Sequence, residues 1–207
     1  MATSIALQTL SANEAACVTG IPLKQVHRII DTGLLGSAAK NRKGSRVVLR
    51  GGLVGLKLAY ETTDILTLDG RRRLVRYLLD HPRATAARES NVSVNVQPMK
   101  GEVRKGLSML ARARKMIAAD KGILSGTACI KGTRVPAHDI AEMLANGDSV
   151  RAIRKAYPAL TDAQIEAAAL YARAYPRRGR PRRGPSWRDR KQIVSNEAAF
   201  DELPLSR

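Results

Sequence analysis

Residues 10–35 read LSANEAACVTGIPLKQVHRIIDTGLL and decide the fold of the amino-terminal part of the chain. Ser11 and Glu14 have the spacing of a capping box, which begins a helix. Gly20 accepts the left-handed conformation that ends a helix, and Pro22 suits the first turn of the next one. The stretch therefore predicts two helices joined by a tight turn, which is a helix-turn-helix.

The second of these helices is predicted to have one apolar face and one basic face. Leu23, Val26 and Ile30 form its inward stripe. Long polar side chains reach phosphates, while glutamine favours adenine and arginine favours guanine in the major groove. A solvated face of a structural three-helix domain would have the same pattern. The candidate DNA contacts on this helix are Lys24, Gln25, His27 and Arg28.

A basic hairpin is predicted directly after the second helix. Residues 38–50 read AAKNRKGSRVVLR, and the basic residues around Gly44 are Lys40, Arg42, Lys43 and Arg46. Cations at a hairpin tip beside a recognition helix are placed to hold neighbouring phosphates. Residues 10–49, with their GIP turn and DTGLL exit, resemble the MerR-like winged helix-turn-helix family. That resemblance implies DNA binding.

The charge of the chain indicates a polyanionic partner. Lysine and arginine total 36 against 18 aspartate and glutamate, which gives a net charge of +18 and a pI near 10.8. Nucleic acid is the first candidate, although an acidic protein surface or an anionic membrane would feel the same attraction. Aromatic residues make up only 3% of the chain, so a large ligand-sensing cavity is not expected.

Breaks in the helical pattern predict four regions along the chain. The pattern stops over residues 83–91, which places a domain boundary near residue 90. Alternation over 92–98 then predicts a short strand, and apolar spacing over 102–120 predicts a connecting helix. The predicted organisation is a DNA-binding domain over 1–90, a strand and connecting helix over 91–121, a three-helix domain over 122–175, and a tail over 176–207.

The three-helix domain is predicted to begin with a small hairpin over 122–135, where glycines separate β-prone runs. Helices are predicted over 137–145, 149–157 and 161–175, because Gly147 and Pro158 punctuate them. Thr161 and Gln164 supply a capping box for the last helix. The fold class is therefore mainly α, with a winged helix-turn-helix, a three-helix domain and an extended tail.

The three-helix domain contains a dense pattern made up of Gly126, Cys129, Ile130, the run GTRVP at 132–136, Gly147, Ile153, Tyr157, Pro158, Leu160, Thr161, Ile165 and Tyr171. In this pattern it resembles the DUF433 family, small antitoxin domains often encoded beside PIN-domain ribonuclease toxins. With the MerR-like front half, the whole chain resembles the longer VapB-type antitoxins. This implies a homodimer, or a larger toxin–antitoxin assembly, that represses its own operon and neutralises a VapC-type ribonuclease.

The second helix of this domain departs from the family pattern. Family members often carry an acidic residue after the cap of this helix, whereas this chain has Arg151, Arg154 and Lys155. The resulting basic face could contact DNA or an acidic toxin. Both alternatives stay open.

The tail has two interpretations, which can coexist. Residues 177–191 hold eight basic residues and one acidic residue, too polar a composition to fold alone. In the first interpretation, Arg178, Arg180 and Arg182 resemble an AT-hook that enters a narrow minor groove. In the second, which the resemblance implies, the tail wraps a PIN-domain toxin and sets an arginine among its metal-binding carboxylates. The inhibitory arginine would be Arg188, Arg190 or Arg207, and the apolar anchors would be Trp187, Ile193, Val194, Phe200, Leu203 and Leu205.

The chain is not expected to be an enzyme. His27, His81 and His138 stand apart, and neither a phosphate-binding glycine loop nor a metal-ligand spacing occurs, so no cofactor or metal is expected. Cys17 and Cys129 are interpreted as buried free thiols. The chain lacks the roughly 18-residue apolar run of a membrane helix and the layout of a signal peptide, which predicts a cytoplasmic protein without membrane contact.

Three function classes remain after these exclusions. They are a toxin-neutralising antitoxin, a stand-alone DNA-binding repressor, and an architectural protein that carries an AT-hook. The apolar anchors of the tail favour the antitoxin, because an architectural protein has no need of them.

Overall fold

The structure is a computed structural model that describes residues 9–42 and 45–177, and this part of the chain is mainly helical. The helices are α1 (Ala12–Thr19), α2 (Leu23–Asp31), α3 (Leu53–Glu61), α4 (Leu68–Asp80), α5 (Gln97–Met116), α6 (Ala137–Ala145), α7 (Val150–Ala156) and α8 (Asp162–Ala174). The strands are β1 (Thr9–Ser11), β2 (Ala39–Arg42), β3 (Ser45–Leu49), β4 (Ala86–Glu89), β5 (Val92–Asn95), β6 (Ile117–Ala119) and β7 (Ala128–Ile130).

Helix α1 begins and ends as its sequence predicts. The backbone N–H of Ser11 donates to Glu14 Oε2 over 2.7 Å, and the Ser11 side chain accepts from the Glu14 N–H, which completes the capping box. Gly20 has a φ of 72° and donates to the Ala16 carbonyl over 2.9 Å, closing the helix in the left-handed conformation. Pro22 is the N-cap of α2, one position before the predicted first turn.

Strand β3 is the centre of a three-stranded antiparallel sheet with β1 on one side and β2 on the other. The predicted basic hairpin is therefore present, and β1 extends it at its base. A short 3-10 turn over Arg50–Gly52 then leads into α3. A Cβ atom at Gly52 would lie 2.8 Å from the Ala38 Cβ, so this turn packs closely on the segment before β2.

The region around the predicted boundary at residue 90 is a second hairpin. Strands β4 and β5 pair with each other, and residue 90 lies in the turn between them with a φ of 47°. Helix α5 begins at Gln97, earlier than the predicted 102, because Pro98 is tolerated in a first turn.

The predicted end of α5 at residue 120 is wrong. The helix stops at Met116, and β6 follows directly because its backbone pairs with β7. The hairpin predicted over 122–135 is thus shifted: the paired residues are 117–119 and 128–130, with a 3-10 turn over Leu124–Gly126 between them. The apolar spacing of the helix continues into the short strand, so periodicity alone cannot show where the helix ends and the strand begins.

Helices α6, α7 and α8 occupy the three predicted positions within one residue at each end. Ser149 caps α7 by accepting from the Ala152 N–H over 3.1 Å. Thr161 and Gln164 form the predicted capping box at the start of α8. Of the two cysteines, Cys129 is buried and Cys17 is partly exposed, and both are free thiols.

The apolar side chains form two main clusters joined by α1, α5 and α8. One cluster fills the space among α1–α5, and a second lies among β6, β7 and α6–α8. Ala113, Ala167 and Leu170 bridge the two and contact Cys17. The described residues pack as one compact unit. None of their helices combines the length and the apolar character that crossing a membrane requires.

Candidate nucleic-acid interface

Helix α2 presents a polar face to solvent. Lys24 and Arg28 are exposed, Gln25 and His27 are partly exposed, and Val26 is fully buried. The predicted inward stripe needs one correction: Leu23 is 38% exposed and Ile29 takes its place in the core. Leu23 is the first residue of the helix, and it precedes the residues Val26 and Ile29 that pack on the core.

The side chains on this face are not used by the fold. Lys24, Gln25 and Arg28 make no side-chain hydrogen bond or ion pair to any residue in the ranges 9–42 and 45–177. Charged and amide groups that the fold leaves unpaired are available to a ligand. The structure therefore brings the four predicted α2 residues onto one accessible side of the helix.

The hairpin residues divide into two groups. Lys40 is exposed, as the prediction requires, whereas Arg46 forms a bidentate ion pair with Asp31 at the end of α2, with N···O distances of 2.7 and 2.9 Å. The hydrogen bonds from Arg46 hold the pKa of Asp31 below its ordinary value. Arg46 thus fixes the hairpin against α2. The Arg42 side chain and Lys43 lie outside the described residues.

A cleft of about 240 Å³ lies beside the polar face of α2 and was not predicted. Gln25, Arg28 and Thr32 form one wall, while Thr63 and Arg71 from the α3–α4 region form the other. Arg71 Nη1 donates to the Thr63 hydroxyl over 3.1 Å, and its buried Nε has no hydrogen-bond partner in the part of the chain that the structure describes. No carboxylate lines the cleft, so its chemistry suits an anion.

Arg71 belongs to an arginine run that could have drawn attention in the sequence. Its neighbours have other roles, since Arg72 pairs with Asp69 and Arg73 pairs with Glu89. The sequence shows the run at 71–73 but not which member faces α2. Only the packing of α4 against α3 decides that.

Helix α1 is held in place by a charged cluster around the buried Glu14, which the sequence did not predict. Glu14 is 7% exposed and accepts hydrogen bonds from Arg114 on α5 and from the hydroxyl of Tyr175, just after α8. Arg114 Nε also donates to the Tyr175 hydroxyl over 2.6 Å. Residues separated by 100 and 161 positions leave no local signal of this contact.

The pKa values of this cluster follow from burial and from its hydrogen bonds. Burial by itself raises the pKa of Glu14, but the bonds from Tyr175, Ser11 and Arg114 outweigh it and leave the pKa below its ordinary value. Burial and the bond to Glu14 raise the pKa of Tyr175 to about 12. Glu14 is therefore a carboxylate and Tyr175 a neutral donor at neutral pH.

The segment after α8 is fixed at its first residues. His138 Nε2 lies 2.8 Å from the Tyr175 carbonyl oxygen, and Arg177 Nη2 donates to Asp139 over 2.6 Å. On α7, the three predicted basic residues are exposed, and Arg154 lies 3.4 Å from Asp162. Predictions for residues after Arg177 fall outside the described part of the chain: Arg178, Arg180, Arg182, Trp187, Arg188, Arg190, Ile193, Val194, Phe200, Leu203, Leu205 and Arg207.

Comparison with known proteins identifies the carboxy-terminal domain. Residues 117–172 match the family described as a protein of unknown function, DUF433, which confirms the predicted DUF433 resemblance. The chain is also 31% identical over 188 residues to the uncharacterized protein y4eO of Sinorhizobium fredii, covering 84% of this chain and 85% of that protein. No solved structure matches the chain.

Proposed function

The chain belongs to the family of the uncharacterized Sinorhizobium fredii protein y4eO, and we propose that it is a DNA-binding repressor that also serves as a type II antitoxin. Its DNA-binding part is a winged helix-turn-helix formed by α1, α2 and the β2–β3 hairpin. Its antitoxin part is the DUF433 domain with the tail that follows it.

The polar face of α2 is the observation that carries the DNA-binding proposal. Lys24, Gln25 and Arg28 are accessible and unpaired within the described residues, on the second helix of a capped, glycine-turned pair. In a helix-turn-helix the second helix lies in the major groove and reads base edges. The exposed Lys40 on the neighbouring hairpin would contact phosphate.

The cleft between α2 and Arg71 adds a site for a phosphate of the same duplex. It offers the guanidinium groups of Arg28 and Arg71 and the amide of Gln25, with no carboxylate to oppose an anion. Arg71 forms no ion pair with the described residues, and its buried Nε has no hydrogen-bond partner among them, so the fold does not neutralise its charge. Phosphate contacts of this kind fix the register of a protein on DNA without reading its sequence.

The antitoxin role rests on the resemblance to VapB-type antitoxins and on the composition of the tail. In this proposal the tail anchors, from Trp187 to Leu205, bind a PIN-domain ribonuclease, and one arginine competes with its metal ions. Bound toxin would then tune repression of the shared operon. The same protein without a toxin partner would be a stand-alone repressor.

The DNA-binding proposal is tested with a fragment from upstream of the protein's own gene. Arg28→Ala should weaken binding by about 5- to 150-fold, which corresponds to the loss of one bidentate base contact. Arg112→Ala is the matched control, since Arg112 is an exposed arginine on α5 that does not line the cleft beside α2. Equal affinity of Arg28→Ala and Arg112→Ala would refute DNA reading by α2.

The antitoxin proposal has a separate test. The full chain is co-expressed with the product of the adjacent gene, beside a chain that ends at Arg177. Co-purification and suppression of ribonuclease activity should require residues 178–207, while operator binding by α2 stays. If the full chain neither binds nor inhibits the adjacent product, the antitoxin role is wrong and the repressor role is unaffected.

A further inference from the structure

A groove runs along one side of α5, and we call it the α5 groove. It consists of three adjoining depressions of about 310, 520 and 630 Å³, all of which include Arg50 in their walls. The depressions of 310 and 520 Å³ lie against α5. The depression of 630 Å³ continues the groove past Gly51, between the 3-10 turn at Arg50–Gly52 and the end of α4. None of the α2 side chains proposed to bind DNA lines it.

The rim of the α5 groove is positively charged and unneutralised. Arg50, Arg83 and Arg104 are exposed, and their side chains form no hydrogen bond or ion pair with the residues that the structure describes. No aspartate or glutamate lines any of the three depressions. Two other cations of the lining have partners in the fold: the Lys100 ammonium group donates to the Pro82 and Ala84 carbonyls over 2.9 and 2.7 Å, and Arg114 pairs with Glu14. Three arginines around the groove are therefore available to bind an anionic partner.

The floor of the groove is aliphatic. Leu49, Val54, Leu79 and Leu107 line it and are only partly buried, so each has apolar surface open to a ligand. At Gly51 the groove is open, since a Cβ atom added there meets nothing within 4 Å. An accessible apolar floor with a charged rim is typical of a peptide-binding surface.

The composition of the lining separates a peptide from a nucleic acid. Grooves that bind single strands stack bases on aromatic side chains, and no aromatic residue lines these depressions. A phosphate backbone would pair with the arginines but has no apolar groups to cover the aliphatic floor. An acidic peptide with leucine-like or phenylalanine-like side chains uses both.

We infer that the α5 groove binds an acidic peptide segment of a partner protein. Its carboxylates would pair with Arg50, Arg83 and Arg104, and its apolar side chains would cover the aliphatic floor. The groove uses elements other than α2, so the inference does not depend on the proposed DNA reading or on the identity of a toxin.

The inference is tested by selecting a library of short random peptides on the full-length protein and measuring binding of the enriched peptides. We expect enriched sequences that combine aspartate or glutamate with leucine or phenylalanine. The double variant R50E/R104E should bind them at least about tenfold more weakly, because reversed charges repel the peptide carboxylates. Gly51→Leu should also weaken binding, because it fills the groove without a steric clash.

Matched controls separate this effect from a general loss of structure or charge. Arg112→Glu changes an exposed arginine on α5 outside the groove, and Gly101→Leu adds a side chain at an open glycine on α5 that does not line the groove. Both should bind the enriched peptides as the unaltered protein does. The inference is overturned if no acidic, apolar sequence is enriched, or if R50E/R104E and Gly51→Leu bind as well as the controls. It is also overturned if the R50E/R104E variant binds a single-stranded DNA probe more weakly than the unaltered protein does but binds every peptide equally well.

Discussion

Glu14 has two structural roles, because its carboxylate closes the capping box of α1 and also accepts from Arg114 and Tyr175. Burial of a carboxylate is unfavourable unless its oxygens accept hydrogen bonds, and here three donors, one each from Ser11, Arg114 and Tyr175, bind it. Helix α1 supports α2 through the Gly20 turn. The orientation of the proposed recognition helix therefore depends on a residue that does not contact DNA.

Replacement of this carboxylate should change the acid stability of the protein. We expect Glu14→Gln to lower the free energy of unfolding at pH 7 by about 1 to 3 kcal/mol, because it weakens the hydrogen bonds of the carboxylate. The effect is no larger because Arg114 is 40% exposed, so solvent screens its ion pair with Glu14. The pKa of Glu14 is lowered from 4.5 in the folded chain, so its stabilisation is complete above that value. It is lost as pH falls through the lowered pKa.

Denaturant titrations between pH 7 and pH 3 check this expectation. The stability difference between the unaltered protein and Glu14→Gln should shrink as the solution becomes more acidic. A difference that stays constant over this range would show that the Glu14 charge contributes nothing.

Arg71 gives a second prediction at the scale of a single residue. Arg71→Ala should weaken binding to operator and to unrelated DNA by similar factors and reduce the slope of log affinity against log salt by about 1, because a phosphate contact carries no sequence information. Arg76→Ala, an exposed arginine on the same helix, is the control. Loss of affinity for the operator alone would contradict a phosphate role.

Helices α1 and α5 pack closely because α5 has a glycine at the point of contact. Among the described glycines, this is the one where an added Cβ atom would lie nearest to another atom. A Cβ atom at Gly106 would lie 2.1 Å from the Val18 carbonyl oxygen, and backbone atoms cannot give way as a flexible side chain does. Gly101 lies on the same helix with open space around it. The two glycines therefore form a natural pair for comparison.

Gly106→Ala should destabilise the protein by about 1 to 3 kcal/mol or more, because α1 and α5 must move apart to admit the methyl group. Gly101→Ala should stabilise it by about 0.5 to 1 kcal/mol, because alanine loses less backbone entropy in a helix. Chemical denaturation of both variants measures the difference. Similar effects of the two substitutions would contradict the close packing of α1 on α5.

At the scale of the whole molecule, α5 and α8 join the amino-terminal and carboxy-terminal parts. Helix α5 covers α1 and carries Glu102, which pairs with the nearly buried Lys57 of α3 over 2.7 Å. Helix α8 packs on both α5 and α1. The residues predicted as a separate DNA-binding domain, 1–90, thus bury part of their core against helices beyond residue 90.

A chain that ends at residue 90 should consequently fail to fold cooperatively. Loss of α5 exposes Val18 and leaves Lys57 without Glu102, and both changes are unfavourable in a small core. Circular dichroism melting checks the result against a chain that ends at Arg177, which we expect to unfold in a sharp transition. Cooperative melting of the 1–90 fragment would establish it as an independent domain.

The sequence alone determined the features that depend on neighbours within a few residues. Capping boxes at Ser11 and Thr161, the left-handed Gly20, the basic hairpin and the bounds of α6–α8 were predicted because helix ends and turns are set by local hydrogen bonds. The DUF433 match could be read from the sequence for the same reason, because it is a pattern along a continuous stretch.

Only the tertiary structure decided the features that join distant residues. Glu14 meets Arg114 and Tyr175, Gly106 admits the backbone of Val18, and Arg50 faces Arg104 across the α5 groove. The end of α5 at Met116 belongs with them, because its next residues pair with a strand farther along the chain. Side-chain spacing shows which face of a helix is apolar, but the element that covers that face is chosen by how the whole chain packs.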